Sequence, residues 1–326
     1  MKIKNVLLIG GGGFVGGSVA NQLAQRGIHV TIPTRRRDQR KALALLPTVD
    51  LIEANIHDAA VLASLMQGQN AVINLVGILQ DGDTRKPFGK RFAAAHVDLP
   101  RKILAAMQQS GVRRLVHLSA LSASSDAPSA YLRSKAAGES IVLAAGLQAE
   151  IDVTVLRPSV IFGPGDSFLR LFARLLRLFP ILPLAGAAAR FQPVYVADVA
   201  AVTIDCLDKH DSFGQIYELA GSTIYTLRDL VAYSAKLMGK TPLIIALPLS
   251  LAYVQAWLLS LLPNPLMSVD NLRSMQVDNV SDGQHDYPGW QPQSLESIAP
   301  SYLPPAPLSR QPRLRLDRYR YRAGRG

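Results

Sequence analysis

Tyr131 and Lys135, in the run Tyr131-Leu132-Arg133-Ser134-Lys135, stand four residues apart. On a helix that spacing puts both side chains on one face. The chemistry open to such a pair is proton transfer. A phenol near pKa 10 is a poor acid or base at neutral pH, and a neighbouring ammonium that stabilises the phenolate brings it into range. As a bare spacing the pair also describes an ordinary helix surface. Its weight comes from what precedes it. Arg114–Leu118 reads as a strand, and the loop Ser119-Ala120-Leu121-Ser122 at its carboxyl end offers two hydroxyls, Ser119 and Ser122, as hydrogen-bond donors to a carbonyl.

A second constellation opens the chain. Val6–Ile9 reads as a buried strand that runs through four consecutive glycines into an apolar helix starting at about Phe14. Gly10, Gly13 and Gly16 have GxxGxxG spacing. The first permits a tight turn, the second lets backbone approach a pyrophosphate, and the third lets helix pack closely on strand. Phe14 and Val15 begin the helix whose free N–H groups and positive dipole end face the phosphates. A glycine-rich hairpin is the competing reading. The strand before and the helix after favour a dinucleotide.

The next strand, His29–Ile32, leads into Thr34-Arg35-Arg36-Arg37, with no Asp or Glu between Gly27 and Arg37. An acid there would accept from a ribose 2′-OH, whereas Arg35 and Arg36 suit a 2′-phosphate, so NADP(H) is expected in preference to NAD(H). The alternative is a solvated basic turn. A third strand ends near Glu53, and Asn55 and Asp58 follow where adenine edges are commonly read. Ala71–Leu75 forms a fourth strand leading into Val76 and Gly77, where a small residue lets backbone lie against a cofactor. A helical stretch from about Phe92 to Ser110 then precedes the fifth strand. Strands alternating with amphipathic helices argue for βαβ units and a parallel sheet.

With these motifs in order, the sequence resembles an extended or atypical short-chain dehydrogenase/reductase. Arg157-Pro158-Ser159-Val160-Ile161-Phe162-Gly163-Pro164-Gly165-Asp166 is similar to the RPxxxxGPGD turn of that group, and residues 190–200 to its FxPVxVxDVA motif. Three further stretches, HLSALSA (117–123), PSAYLRSKAAGE (128–139) and LLPNPLMSVDNLRSMQVDNV (261–280), resemble the nucleotide-binding accessory subunits of respiratory complex I and their bacterial relatives. The resemblance covers about residues 1–300. It implies an α/β, Rossmann-type doubly wound parallel sheet with a smaller C-terminal α/β lobe, a nucleotide site that includes Pro158, and a Lys135 that holds the nicotinamide ribose. By register, the Ser or Thr usual in extended enzymes falls at Leu121, with Ser119 and Ser122 on either side. His96 stands where Asn is usual, and Asn55 where Asp is.

The expected division is a nucleotide-binding domain over 1–163, completed by about 191–219. A smaller lobe takes 164–190 and 220–303, and a disordered Arg-rich tail takes 304–326. The 326 residues are 48% hydrophobic and only 6% aromatic, with a net charge of +11, of which the tail from Arg310 supplies seven arginines against one aspartate. Mean hydropathy is positive. Cys206 is the one cysteine, so no disulfide framework or thiolate metal site exists, and no His/Asp/Glu cluster has metal spacing. No secretory or transit pattern is recognisable at the N-terminus, so a cytoplasmic protein is expected, peripheral on the inner face of a membrane.

The membrane expectation rests on two stretches. In Phe168–Phe179 the arginines 170, 174 and 177 fall on one helical face, which fits either a core helix with snorkelling arginines or a basic amphipathic helix at an anionic surface. Leu243–Leu262 is twenty residues without a charge. Pro248 divides it into a strand and a helix, Leu249–Leu262, which at about 21 Å is too short to span a bilayer. It suits a membrane interface, a respiratory-complex partner or its own lobe. No nucleic-acid fold accompanies the basic tail, so no specific nucleic-acid partner is expected. Three functions stay open: a nucleotide-holding protein of the complex I accessory type, an active reductase, dehydratase or epimerase on a lipophilic carbonyl such as a quinone, and a nucleotide-sugar enzyme.

Overall fold

The computed structural model describes residues 3–82, 86–148, 151–262 and 266–303. In β1 (Asn5–Ile9), Val6 and Leu8 turn to one face and Leu7 and Ile9 to the other, all four fully buried. A strand apolar on both faces belongs inside a parallel sheet covered by helices on each side. The chain proceeds through α1 (Phe14–Gln25), β2 (His29–Thr34), a short α2 (Lys41–Ala44), β3 (Val49–Glu53), α3 (Ala59–Met66) and β4 (Ala71–Asn74). It continues with α4 (Lys90–Phe92), a π-helical segment (Ala93–Asp98), α5 (Leu99–Ser110), β5 (Arg114–Leu118), α6 (Ala130–Gln148) and β6 (Asp152–Pro158).

The second half interrupts the alternation. β7 (Ile161–Phe162), α7 (Phe168–Leu178), β8 (Ile181–Leu184), β9 (Arg190–Phe191) and β10 (Val194–Tyr195) precede α8 (Val196–Asp208) and β11 (Ile216–Leu219). After them come β12 (Tyr225–Thr226), α9 (Leu227–Leu237), β13 (Leu243–Ala246), α10 (Leu249–Ser260), α11 (Val269–Ser274) and α12 (Leu295–Ile298).

Seven strands form one sheet in the order β11-β6-β5-β4-β1-β2-β3, every neighbouring pair parallel. One face packs on α1 and α8 through Val19, Leu23, Val199 and Ile204. The other packs on α3, α5 and α6 through Leu62, Ile103 and Val142. This is the Rossmann-type doubly wound fold. The carboxyl ends of β1, β4 and β5 meet where the strand order reverses, the usual ligand crevice of such sheets.

The remaining elements build a layer beside that crevice. β8 and β13 pair in parallel, with Leu182 and Leu184 packed against Phe172, Leu176, Leu227 and Val231 of α7 and α9. The arginines Arg170, Arg174 and Arg177 are all exposed on the outer face of α7. α10 buries only Ala252 and Ala256, an i,i+4 pair, against Ala185 and Leu272, while Leu249, Leu251, Val254, Trp257 and Leu258 remain more than half exposed. Among the described residues, no helix is long and apolar enough to cross a membrane. The Arg-rich tail, 304–326, lies outside the described residues.

Candidate functional site

The turn after β1 is built on absent side chains. Gly10 adopts φ +85°, and a Cβ there would meet the Leu75 carbonyl carbon and the Val76 nitrogen at 3.1 Å. At Gly16 a Cβ would lie 2.5 Å from the Gly10 oxygen and the Gly11 Cα, so α1 rests directly on the turn. At Gly13, the N-cap of α1, a Cβ would stand 3.2 Å from the Gly10 oxygen. No side chain caps the first N–H groups of α1, at Phe14 and Val15. Uncapped N–H groups at a helix start, on a loop stripped of Cβ atoms, form a ready anion cradle.

At the end of β2, Arg35 and Arg36 follow the strand and are exposed. The Arg36 N–H donates to Thr34 Oγ1 at 3.4 Å, and the Arg35 charge contributes to lowering the pKa of His57, after burial and Lys102. Asn55 accepts the His57 N–H at 3.1 Å. Asp58, expected at an adenine edge, instead caps α3 by accepting from Ala60 and Val61 N–H. An open cleft of about 780 Å³ adjoins Asn55, lined also by Thr31, Ile52, Glu53 and Gln69.

β4 finishes on buried Asn74, whose Oδ1 accepts the Val76 N–H at 3.2 Å and shapes the Val76–Gly77 turn. Its Nδ2 donates to His117 Nδ1 at 3.1 Å, which places the His117 proton on Nε2. A Cβ on Gly77 would come within 3.8 Å of Lys135 Nζ and 3.9 Å of His96 Nε2. These two buried groups therefore lie directly behind the turn. Lys135 Nζ donates to the Leu118 carbonyl at 2.6 Å. Burial pushes its pKa down to about 8 against the opposing charge of Glu139. Glu139 is held in turn by Arg157, with Nε at 3.0 Å and Nη2 at 2.5 Å.

His96 sits in the π-helical segment. The Ile78 N–H donates to its Nε2 at 3.1 Å, so Nδ1 carries the proton and donates to Ser134 Oγ at 2.8 Å, while Ser134 donates to the Tyr131 carbonyl at 2.7 Å. Burial and the Lys135 charge hold His96 near pKa 2 and His117 near 3, so both rings are neutral. α6 fits against the π segment because residue 138 is glycine: a Cβ there would lie 1.9 Å from the His96 oxygen. The sequence places His96 in register but gives no sign of its tie to Ser134, 38 residues away.

Tyr131 and Lys135 both lie on α6. Contrary to the expected tuning, burial of the phenol against Phe92 and His96 pushes Tyr131 up to about 12, and no contribution from Lys135 offsets it. The two serines part company. Ser122, at φ +64°, donates its Oγ to the Asp278 carbonyl at 2.9 Å and is committed there. Ser119 Oγ is buried without a hydrogen-bond partner, an orphan of the kind a bound ligand satisfies. Between them Leu121 is only 2% exposed, its N–H donating to the Pro158 carbonyl at 2.9 Å. The glycine cradle, the Val76–Gly77 turn and the Ser119 orphan together fit a nicotinamide dinucleotide.

Residues 6–220 match the NAD dependent epimerase/dehydratase family. The chain belongs to that family. It is 31% identical over 291 residues to the Arabidopsis thaliana protein "NADH dehydrogenase [ubiquinone] 1 alpha subcomplex subunit 9, mitochondrial", covering 84% of this chain and 70% of the relative. The Mus musculus protein of the same name is 32% identical over 283 residues, with coverage of 84% and 72%. The epimerase/dehydratase fold is matched by Pal from Bacillus thuringiensis (TM-score 0.68, 18% identity, covering 90% of this chain and 95% of that one). It is matched also by the Bordetella bronchiseptica enzyme WbmF in complex with NAD+ (TM-score 0.63, 20% identity, 75% and 81%). The chain is thus an NAD(P)-binding Rossmann protein homologous to complex I subunits.

Proposed function

We propose that this protein holds NADP(H) as a structural cofactor and docks, through its apolar lobe, on a membrane-bound respiratory complex at the inner, cytoplasmic face of the membrane. Gly10, Gly13, Gly16 and the N–H groups of Phe14 and Val15 hold the pyrophosphate, Arg35 and Arg36 a 2′-phosphate, and Asn55 the adenine. Val76, Gly77, Pro158 and Lys135 enclose the nicotinamide ribose. When bound, the nucleotide supplies a hydride donor or acceptor; the chain's own residues position it and shut out water. The observation that carries the structural role is Leu121. A buried hydrocarbon occupies the register of the hydroxyl that would polarise a substrate carbonyl, and burial pushes the Tyr131 phenol away from proton transfer. The homologous subunits of respiratory complexes support the docking.

A second reading is an active reductase on a lipophilic carbonyl, with Tyr131 as proton donor, Lys135 on the same helix and Ser119 as carbonyl donor, Ser122 being held by Asp278. It is favoured by Tyr131 and Lys135 standing four residues apart on α6 and by 27% identity over 244 residues to the Caulobacter vibrioides "Ceramide reductase". The purified protein separates the two. Reduced nucleotide absorbs at 340 nm, and that signal should persist when quinones or aldehydes are added. Turnover abolished by Tyr131→Phe would instead establish the reductase.

A further inference from the structure

One short segment ties the loops at the carboxyl end of the sheet to one another. It comprises residues 268–279, with α11 at its centre. The Asp270 carboxylate accepts the N–H groups of Ala130 (2.7 Å) and Tyr131 (2.9 Å), the first two residues of α6. Those are helix-start donors that need a partner, and a carboxylate at that end also opposes the positive pole of the helix. The cap is supplied from 140 residues downstream. One turn further along α6 lie Ser134, which holds His96, and Lys135, which faces the Gly77 turn.

The same segment reaches the other loops. Asn271 Nδ2 donates to the Leu79 carbonyl (3.2 Å), and its Oδ1 accepts from Gln80 (3.3 Å), just past Val76–Gly77. The Asp278 carbonyl accepts from Ser122, and Asn279 Oδ1 accepts from Ser159 Oγ (2.6 Å) and the Val160 N–H (2.9 Å), just past Pro158. The loops after β4, β5 and β6 are therefore fastened to one strip of chain.

On its other side α11 meets the apolar helix. Leu272, with Val269 and Met267 beside it, packs on Ala252 and Ala256 of α10. α11 has six residues, with Leu272 as its one buried side chain, so what settles on either neighbour bears on how firmly it is held. The outward side of α10 is uncharged, as is the whole run from Thr241 to Leu262, in a chain whose net charge is +11. An exposed apolar helix face on a strongly basic protein fits an anionic lipid surface.

We infer that Asp270 is a positioning residue that couples the nucleotide site to the α10 face: lipid bound at α10 steadies α11, α11 fixes the start of α6, and α6 fixes Lys135 for the nucleotide. This rests on the proposed nucleotide-holding, membrane-docked function. Linkage makes the coupling reciprocal.

The test uses the full chain, NADPH, and vesicles of phosphatidylglycerol and phosphatidylcholine. The expected result is that vesicles tighten NADPH binding by about fivefold or more, and that NADPH tightens vesicle binding by the same factor. In Asp270→Ala both ligands should still bind, with the factor reduced to one, a change that mere loss of stability would not produce. Should Asp270→Ala fail to fold, hydrogen exchange on the unaltered chain decides: vesicles should slow exchange at the Ala130 and Tyr131 amides, and unchanged rates overturn the inference. If NADPH and vesicles each bind but independently, the coupling is wrong and the proposed function stands. If NADPH fails to bind, the proposed function falls and the coupling with it; if NADPH binds and the vesicles do not, the coupling is overturned and docking on a respiratory complex is not.

Discussion

Two histidines and a lysine share the buried space behind the Val76–Gly77 turn, and burial pushes all three toward neutrality. The histidines give this a measurable sign. An unfolded chain takes up a proton at each His as the pH falls below about 6.5, while His96, near 2, and His117, near 3, stay neutral in the fold. The unfolded state then binds more protons, so their contribution is intact above pH 6.5 and is lost as the pH drops. At pH 5 the loss is about 2 kcal/mol for each histidine. Denaturant unfolding at pH 7.5 and pH 5 should differ by about 4 kcal/mol. His96→Gln should remove about half of that difference, and an unchanged midpoint would contradict the buried neutral pair. Spacing alone set Tyr131 and Lys135 on one helix. It could not show that Phe92 and His96 close over the phenol, because that packing joins residues 35 and 39 positions apart.

Among the elements, α10 is the one whose side chains do not match its surroundings. Leu251 is 53% exposed and Trp257 56%, although the helix is too short to cross a bilayer. Replacing both with glutamate should leave stability within about 0.5 kcal/mol, since neither contributes to a packed core. Flotation with anionic vesicles should be lost, whereas a chain cut before Pro304 should float as the full chain does. Equal flotation of the glutamate variant would remove α10 as the anchor. Much of this was legible in sequence: Pro248 divides the uncharged run, and the structure begins α10 at Leu249 after the strand Leu243–Ala246. The fifth strand, Arg114–Leu118, likewise falls where its apolar run places it. The helix expected over Phe92–Ser110 hides the π segment at Ala93–Asp98, which packs against α6 where Gly138 lets the two backbones meet at His96, a contact between residues far apart in the chain. The cap from Asp270 to α6 is also tertiary, and no local pattern announces it.

At the scale of the molecule, one parallel sheet sets out a crevice, and a loosely covered lobe lies beside it. The parallel sheet was legible in apolar runs alternating with helical ones, because each run satisfies both faces of a buried strand, whereas the order of the strands comes from the structure. The lobe was harder to read, because β8 and β13 pair across sixty residues and α10 buries little of itself. The amino-terminal half is proposed to grip a phosphorylated nicotinamide dinucleotide. Titration calorimetry of the nucleotide-free chain with NADPH and then NADH tests it most directly. NADPH should bind at least about tenfold more tightly, a difference of about 1.4 kcal/mol. Arg35→Ala with Arg36→Ala should erase that preference, and Gly16→Ala, whose Cβ would strike the Gly10 oxygen at 2.5 Å, should abolish binding of both. A folded chain with no affinity for either nucleotide would contradict the account.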